Sequence, residues 1–203
     1  MPRRSRQPTI VVVEGLPGSG KTTLAKMLEK DGWTRFPEVA TETAAAQIAV
    51  AASDDLALDP FIMCEEVRRE ERARLSPSNQ ILLESSHIAN LAWAKARADR
   101  FKTCGYETYL KYYQMARAKN RLLKISAYLL LDITPRVSKQ RYPKVGRIEL
   151  PDERFLSSVS KNLLSFHERL EPSVPLHVLD TTKSVIVTYK DARAILAEVM
   201  TSR

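Results

Sequence analysis

The most specific chemistry in this chain lies in eight consecutive residues near its amino end. Gly15-Leu16-Pro17-Gly18-Ser19-Gly20-Lys21-Thr22 fits the phosphate-binding pattern G-x-x-x-x-G-K-[ST]. Glycines let successive backbone N–H groups converge on phosphate oxygens, and the helix that follows offers its positive N-terminal end. In such a loop Lys21 bridges the β- and γ-phosphates and the Thr22 hydroxyl ligates Mg²⁺. Gly15, Gly18, Ser19, Gly20 and Thr23 complete the nucleotide cradle. The remaining candidates are acids that close apolar runs, Glu38, Glu84, Asp132 and Asp180.

Those residues need a scaffold that brings them to one edge. Short β-branched or leucine-rich runs alternate with longer helical patterns. The runs predict strands over Thr9–Glu14, Trp33–Phe36, Gln80–Glu84, Ser126–Asp132 and Leu176–Asp180. The first, third and fourth are continuously apolar, as expected of strands buried on both faces. Helices are predicted to start at Lys21 and Val39 and to cover Pro60–Leu75, Ser86–Lys102, Tyr106–Lys124, Pro151–Leu170 and Tyr189–Met200. Asp59 is expected as an N-cap, with Pro60 and Pro151 in first-turn positions. Alternation of this kind implies right-handed crossovers, a parallel sheet and ligands at the carboxyl ends of the strands. The expected organisation is a basic tail over residues 1–8 and a single domain over residues 9–203.

The strand ends resemble those of nucleoside and nucleotide kinases, specifically the deoxynucleoside kinase and thymidylate kinase branch, over roughly residues 9 to 201. The resemblance rests on the P-loop, on Phe36-Pro37-Glu38, on Leu83-Glu84-Ser85-Ser86, on Leu131-Asp132-Ile133-Thr134-Pro135 and on Leu179-Asp180-Thr181-Thr182. It implies an α/β three-layer sandwich with a five-stranded parallel sheet and an arginine-bearing lid over about residues 134–150. It further implies ATP as donor, Mg²⁺ held by Thr22 and Glu84, and Lys21, Glu38 and Arg141 as catalytic residues. Glu38 would accept the proton of the substrate hydroxyl, with Glu42 as its substitute. Arg136, Arg141 and Arg147 would sit over the phosphates, because guanidinium forks stabilise the charge spread over a moving phosphoryl group. Glu38, Phe61, Arg68, Glu84, Asn90 and Trp93 would line the acceptor site, with Tyr109, Tyr112 and Tyr113 as further candidates to flank a planar base.

Two departures bear on the acceptor. Ser85 stands where these kinases carry an arginine, so Arg68 or Arg69 of the preceding helix would have to substitute. Asn90 stands where an aspartate often reads the base, and an amide both donates and accepts. A hydroxyl acceptor needs a base such as Glu38, whereas a phosphate acceptor needs positive clamps. The expected reaction is therefore transfer of the γ-phosphoryl group to a hydroxyl of a nucleoside or nucleoside-like molecule, with a nucleoside monophosphate as the alternative. A guanine-nucleotide switch would show Asn-Lys-x-Asp after a strand, which is absent. A polynucleotide 5′-hydroxyl kinase remains open on charge alone.

Composition frames these readings. Hydrophobic residues make up 44% of 203 and charged residues 28%, ordinary for a globular chain of one domain. No apolar run approaches the ~20 residues that span a bilayer, and the first eight residues lack the apolar stretch of a secretory signal. Cys64, Cys104, His87, His167 and His177 show no metal-site spacing, and a reduced cytoplasmic setting is expected. The net charge is +8, and the stretch from Arg117 to Arg147, with nine Lys or Arg against Asp132, accounts for all of that excess. Concentrated there, it points to a triphosphate under a basic flap more than to a nucleic acid or a membrane. Related kinases are often dimers, so the resemblance allows a homodimer.

Overall fold

The computed structural model describes residues 7–42, 55–102, 105–142 and 151–201. Five parallel strands, β1 (Thr9–Gly15), β2 (Thr34–Phe36), β3 (Gln80–Glu84), β4 (Ala127–Asp132) and β5 (Leu176–Asp180), form one sheet in the order β2-β3-β1-β4-β5. Helices connect them, as parallel pairing requires. They are α1 (Lys21–Lys30), α2 (Val39–Glu42), α3 (Asp55–Arg74), α4 (His87–Phe101), α5 (Gly105–Ala118), α6 (Pro135–Arg141), α7 (Glu153–Leu170) and α8 (Val185–Thr201).

The side-chain period of two along β1 divides the core. Val11 and Val13 face a cluster with Leu24 and Leu28 of α1 and Ala192 and Leu196 of α8. Ile10 and Val12 face the other side, against α4, α5 and α7 through residues such as Leu91, Tyr109 and Leu163. The result is the expected three-layer arrangement. Register then places the strand ends side by side: Val13 pairs with Glu84, Gly15 with Leu131 and Asp132 with Asp180. No described helix is long and apolar enough to cross a membrane.

Several boundaries differ from the sequence expectation, each for a local reason. Asp59 is not a cap, and Pro60 is not in the first turn. Helix α3 starts at Asp55 and runs through Pro60, while the buried Asp59 carboxylate pairs with Arg97 on α4. A tertiary ion pair has taken the side chain that local chemistry assigned to the helix end. Pro151 likewise precedes the helix, because Asp152 is the N-cap of α7 and accepts from the Phe155 N–H at 2.8 Å. Helix α5 stops at Ala118 instead of continuing to Lys124. Asn120 takes a left-handed φ of 51°, and the N–H groups of Asn120 and Arg121 return to the carbonyls of Arg117 and Ala116, a Schellman closure. Helix α8 starts earlier than Tyr189, where the Ser184 carbonyl and hydroxyl accept from the N–H groups of Thr188 and Val187. Arg147 and the second half of the expected lid lie outside the described residues, as does the Glu42 side chain.

The Asp59–Arg97 pair ties α3 to α4, and Gly105 of α5 packs on it so closely that a Cβ there would meet Asp59 Oδ2 at 2.6 Å. Asp59→Ala should lower unfolding free energy by about 3–5 kcal/mol, since it leaves a largely buried guanidinium without its counter-ion. Gly105→Ala should destabilise through the same contact. Urea denaturation measures both, and a loss below about 1 kcal/mol in Asp59→Ala would show the pair to be dispensable.

Candidate active site

The phosphate loop leaves β1 at Gly15, where φ is +143° and a Cβ would lie 2.6 Å from the Leu131 carbonyl oxygen. Only glycine fits a backbone turning that tightly against β4. Gly18, at φ +74°, meets α6 instead, with 3.1 Å from its hypothetical Cβ to the Ser138 carbonyl and 3.2 Å to Arg141 Cβ. Helix α1 begins directly after Gly20. Lys21 Nζ reaches back to donate to the Gly15 carbonyl at 2.9 Å, and it lies 3.7 Å from Glu38 Oε2. Ser19 is buried, with no hydrogen-bond partner for its hydroxyl among the described residues, while Thr22 and Thr23 are exposed in the first turn of α1. A buried hydroxyl of this kind, just ahead of the N-terminal end of α1, suits an anionic oxygen.

Glu84, at the end of β3, is the junction of the site. Its Oε2 accepts from the Thr22 hydroxyl at 2.5 Å, and its Oε1 pairs with Arg35 Nε from β2. Thr22 and Glu84 thus present two hard oxygens together, the donor type that Mg²⁺ prefers. Among the described residues no three His, Cys, Asp or Glu side chains gather to hold a metal. The next residue, Ser85, is strained, with φ +66°. Arg69 spans the position: Nη1 donates to the Pro37 carbonyl at 3.0 Å and to the Glu84 carbonyl, and Nη2 donates to the Ser85 carbonyl at 2.7 Å and to Glu66. Arg68, by contrast, is 72% exposed and pairs with Glu65, so it is Arg69 of the two candidates that reaches the strand ends.

Behind this edge lies a buried polar layer. Glu14 accepts from the Ser86 hydroxyl at 2.5 Å, and Ser86 also caps α4 through the Ile88 N–H. Asn90 Nδ2 donates to Glu66 Oε2 at 3.3 Å, so its amide is engaged by a carboxylate. His87 Nδ1 lies 2.8 Å from the Tyr109 hydroxyl, and burial pushes its pKa down to about 3. Burial, with Glu66 nearby, pushes the Glu70 carboxyl up to about 7. The aromatic candidates lie in packing positions: Trp93 against Phe155 of α7, Phe61 with Val39, Leu58 and Ile62, and Tyr109 and Tyr113 around His87. Sequence reasoning passed over Arg35, Glu14 and Glu66. Glu14 alone carried a signal, a charge ending a run of buried strand residues.

Helix α6 is tied to the phosphate loop. Thr134 caps it, Ser138 Oγ donates to the Pro17 carbonyl at 2.6 Å, and Arg141 Nη1 donates to the Thr181 carbonyl at 3.0 Å in the loop after β5. Arg136 is exposed on the same helix. Burial holds the Glu14 carboxyl at about 8, against an ordinary 4.5. Between those values the folded chain keeps a proton that the unfolded chain has released, so rising pH weakens the fold across that window. Glu14→Gln should flatten this trend. Its urea midpoint should fall less than the wild type's between pH 5 and 8.5, Glu70 contributing equally to both, and parallel profiles would contradict the assignment.

Comparison with known proteins accords with this arrangement. A deoxyadenosine kinase from M. mycoides, solved with bound dATP, superimposes with a TM-score of 0.78 at 19% identity, covering 93% of this chain and 100% of that one. A thymidylate kinase from Candida albicans gives 0.74 at 15% identity, covering 95% and 92%. No curated protein sequence matches the chain. The family model described as an AAA domain matches residues 10–158, from the first strand through the phosphate loop to α7. The chain therefore belongs to this AAA domain family, built on the P-loop fold of nucleoside and nucleotide kinases.

Proposed function

We propose that the chain is an ATP- and Mg²⁺-dependent phosphotransferase that moves the γ-phosphoryl group to a hydroxyl of a nucleoside or nucleoside-like small molecule. The observation that carries this reading is the placement of Glu38 Oε2 3.7 Å from Lys21 Nζ. A carboxylate beside the lysine that follows the γ-phosphate is where a base for an incoming hydroxyl is needed. Loop N–H groups, Ser19 and Lys21 would cradle the triphosphate, and Arg136 and Arg141 would cover it from α6. Thr22 and Glu84 would hold Mg²⁺, which when bound neutralises charge on the β- and γ-phosphate oxygens. Glu38 would take the acceptor's proton as its oxygen attacks.

The state of Arg69 favours a hydroxyl over a phosphate acceptor. Its amino groups are engaged by Glu66 and by three backbone carbonyls, so it braces the strand ends instead of offering a free clamp to a second phosphate. In this reading residues 9–203 act as one catalytic domain, residues 1–8 are a basic tail, and α6 opens the lid that runs to about residue 150. The exposed Cys64 thiol suits a reducing cytoplasmic setting. The acceptor side would be shaped by Glu38, Glu84, Asn90, Phe61 and Trp93, and a homodimer is compatible with what related kinases form.

ADP release measured with deoxyadenosine, deoxycytidine, thymidine, their monophosphates and sugar-like alcohols should show turnover stimulated by a hydroxyl acceptor. Stimulation by monophosphates alone would replace the reading with nucleotide kinase activity, and none from any acceptor would remove it. Lys21→Ala should abolish transfer. Glu38→Gln should lower kcat by roughly 10²–10⁴-fold, the usual contribution of a general base, with little change in ATP affinity. Unchanged kcat in Glu38→Gln would reject its role as base.

A further inference from the structure

Three arginines near the strand ends have three different surroundings. Arg69 is wholly buried and closed in by Glu66 and the carbonyls of Pro37, Glu84 and Ser85. Arg68 points outward and pairs with Glu65. Arg35 is held at one edge only. Its Nε donates to Glu84 Oε1, and among the described residues its two amino groups have no protein partner. The side chain is 16% exposed, and none of its nitrogens is among the buried unpartnered atoms, so those donors face open space.

What lies around that open space is defined by the segment that carries Arg35. Lys21 and Thr22 are consecutive residues at the start of α1, where phosphates bind. Glu38 stands by Lys21, and Glu84, anchored to Arg35, stands by Thr22. Residues 35–38 therefore fold over the N-terminal end of α1, placing an acid beside Lys21 and a guanidinium on the same carboxylate that Thr22 binds. Because Glu84 Oε2 already receives the Thr22 hydroxyl, the carboxylate fixes Arg35 without covering both sides of its fork.

We propose that Arg35 is a catalytic residue whose amino groups donate to the oxygens of the transferring phosphoryl group. This rests on the phosphotransferase reading above. It also answers the departure at Ser85: the cation missing after β3 is supplied from β2. In the step, the bond from the γ-phosphorus to the bridging oxygen breaks and its electron pair leaves with ADP. The bond to the acceptor oxygen forms, and the acceptor's proton passes to Glu38. Arg35 keeps all its protons and strengthens its hydrogen bonds as charge spreads over the equatorial oxygens.

The test uses the full chain with Arg35→Met and Arg35→Lys. Single-turnover hydrolysis of MgATP, with water as the acceptor, gives a rate that does not depend on knowing the natural acceptor. Binding of a fluorescent ATP analogue and of Mn²⁺ to the ATP-loaded protein gives the ground state. Arg35→Met should slow the turnover by about 10²-fold, the usual effect of losing one transition-state donor, with both affinities within about threefold of wild type. Arg35→Lys should recover only part, having charge without the planar fork. A rate in Arg35→Met within about threefold of wild type overturns the proposal. So does a deficit that disappears at saturating metal, which would make Arg35 only a counter-ion of Glu84. Wild-type protein that turns over MgATP neither with water nor with any acceptor of the panel above would instead remove the phosphotransferase reading, and the role of Arg35 with it.

Discussion

Burial of the Glu84 carboxylate is the constraint from which the rest of the site follows. The side chain is 1% exposed, and a charge withdrawn from water must be met by counter-charge and hydrogen bonds on both oxygens. Arg35 meets one oxygen from β2 and Thr22 meets the other from α1. Arg69, from α3, holds the Glu84 main chain by its carbonyl and ties the same point to Pro37 and Ser85. One acid at the end of one strand thus locks together four elements that are distant in sequence. The phosphate loop, the segment bearing Glu38 and the turn at Ser85 are all positioned through it.

This arrangement explains why the strained Ser85 persists. A left-handed φ in a non-glycine residue is unfavourable by itself, and such strain survives only where the surroundings over-determine it. Here the Ser85 N–H donates to the Val13 carbonyl at 2.9 Å, its own carbonyl accepts from Arg69, and the following Ser86 is fixed by Glu14 and the start of α4. The turn sends the chain from β3 into α4 so that Ser86 and Asn90 face Glu14 and Glu66. An arginine side chain at this position would add a second guanidinium beside Arg69, which already holds the carbonyls of Glu84 and Ser85.

The fold was largely legible because its signals are local. The phosphate loop, the apolar strands and the start of α1 depend on residues within a few positions of each other, and period two along β1 divides the core without any other information. The site was legible only in part. Arg35 sits in a three-residue strand whose burial is intermediate throughout, a pattern that marks no function. Its partner is 49 residues away. Glu66 lies in an Arg/Glu-rich helix that looks like a solvated face, yet it is buried because Arg69 and Asn90 enclose it. The cap assigned to Asp59 failed for the same reason, since its partner Arg97 is 38 positions on.

The basic stretch from Arg117 to Arg147 illustrates the same difference between composition and placement. It equals the whole excess charge of the chain, yet its described members do not act alike. Arg117 is drawn to Glu171, and Arg121 contributes its carbonyl to Arg74. Arg141 crosses to the Thr181 carbonyl, which brings α6 and the loop after β5 together beside Gly18. Only this last contact stands over the phosphate loop. In the proposed reading, attraction for a triphosphate would depend less on the amount of charge than on the close passage of α6 over Gly18, where an added methyl group would sit tightly against its backbone.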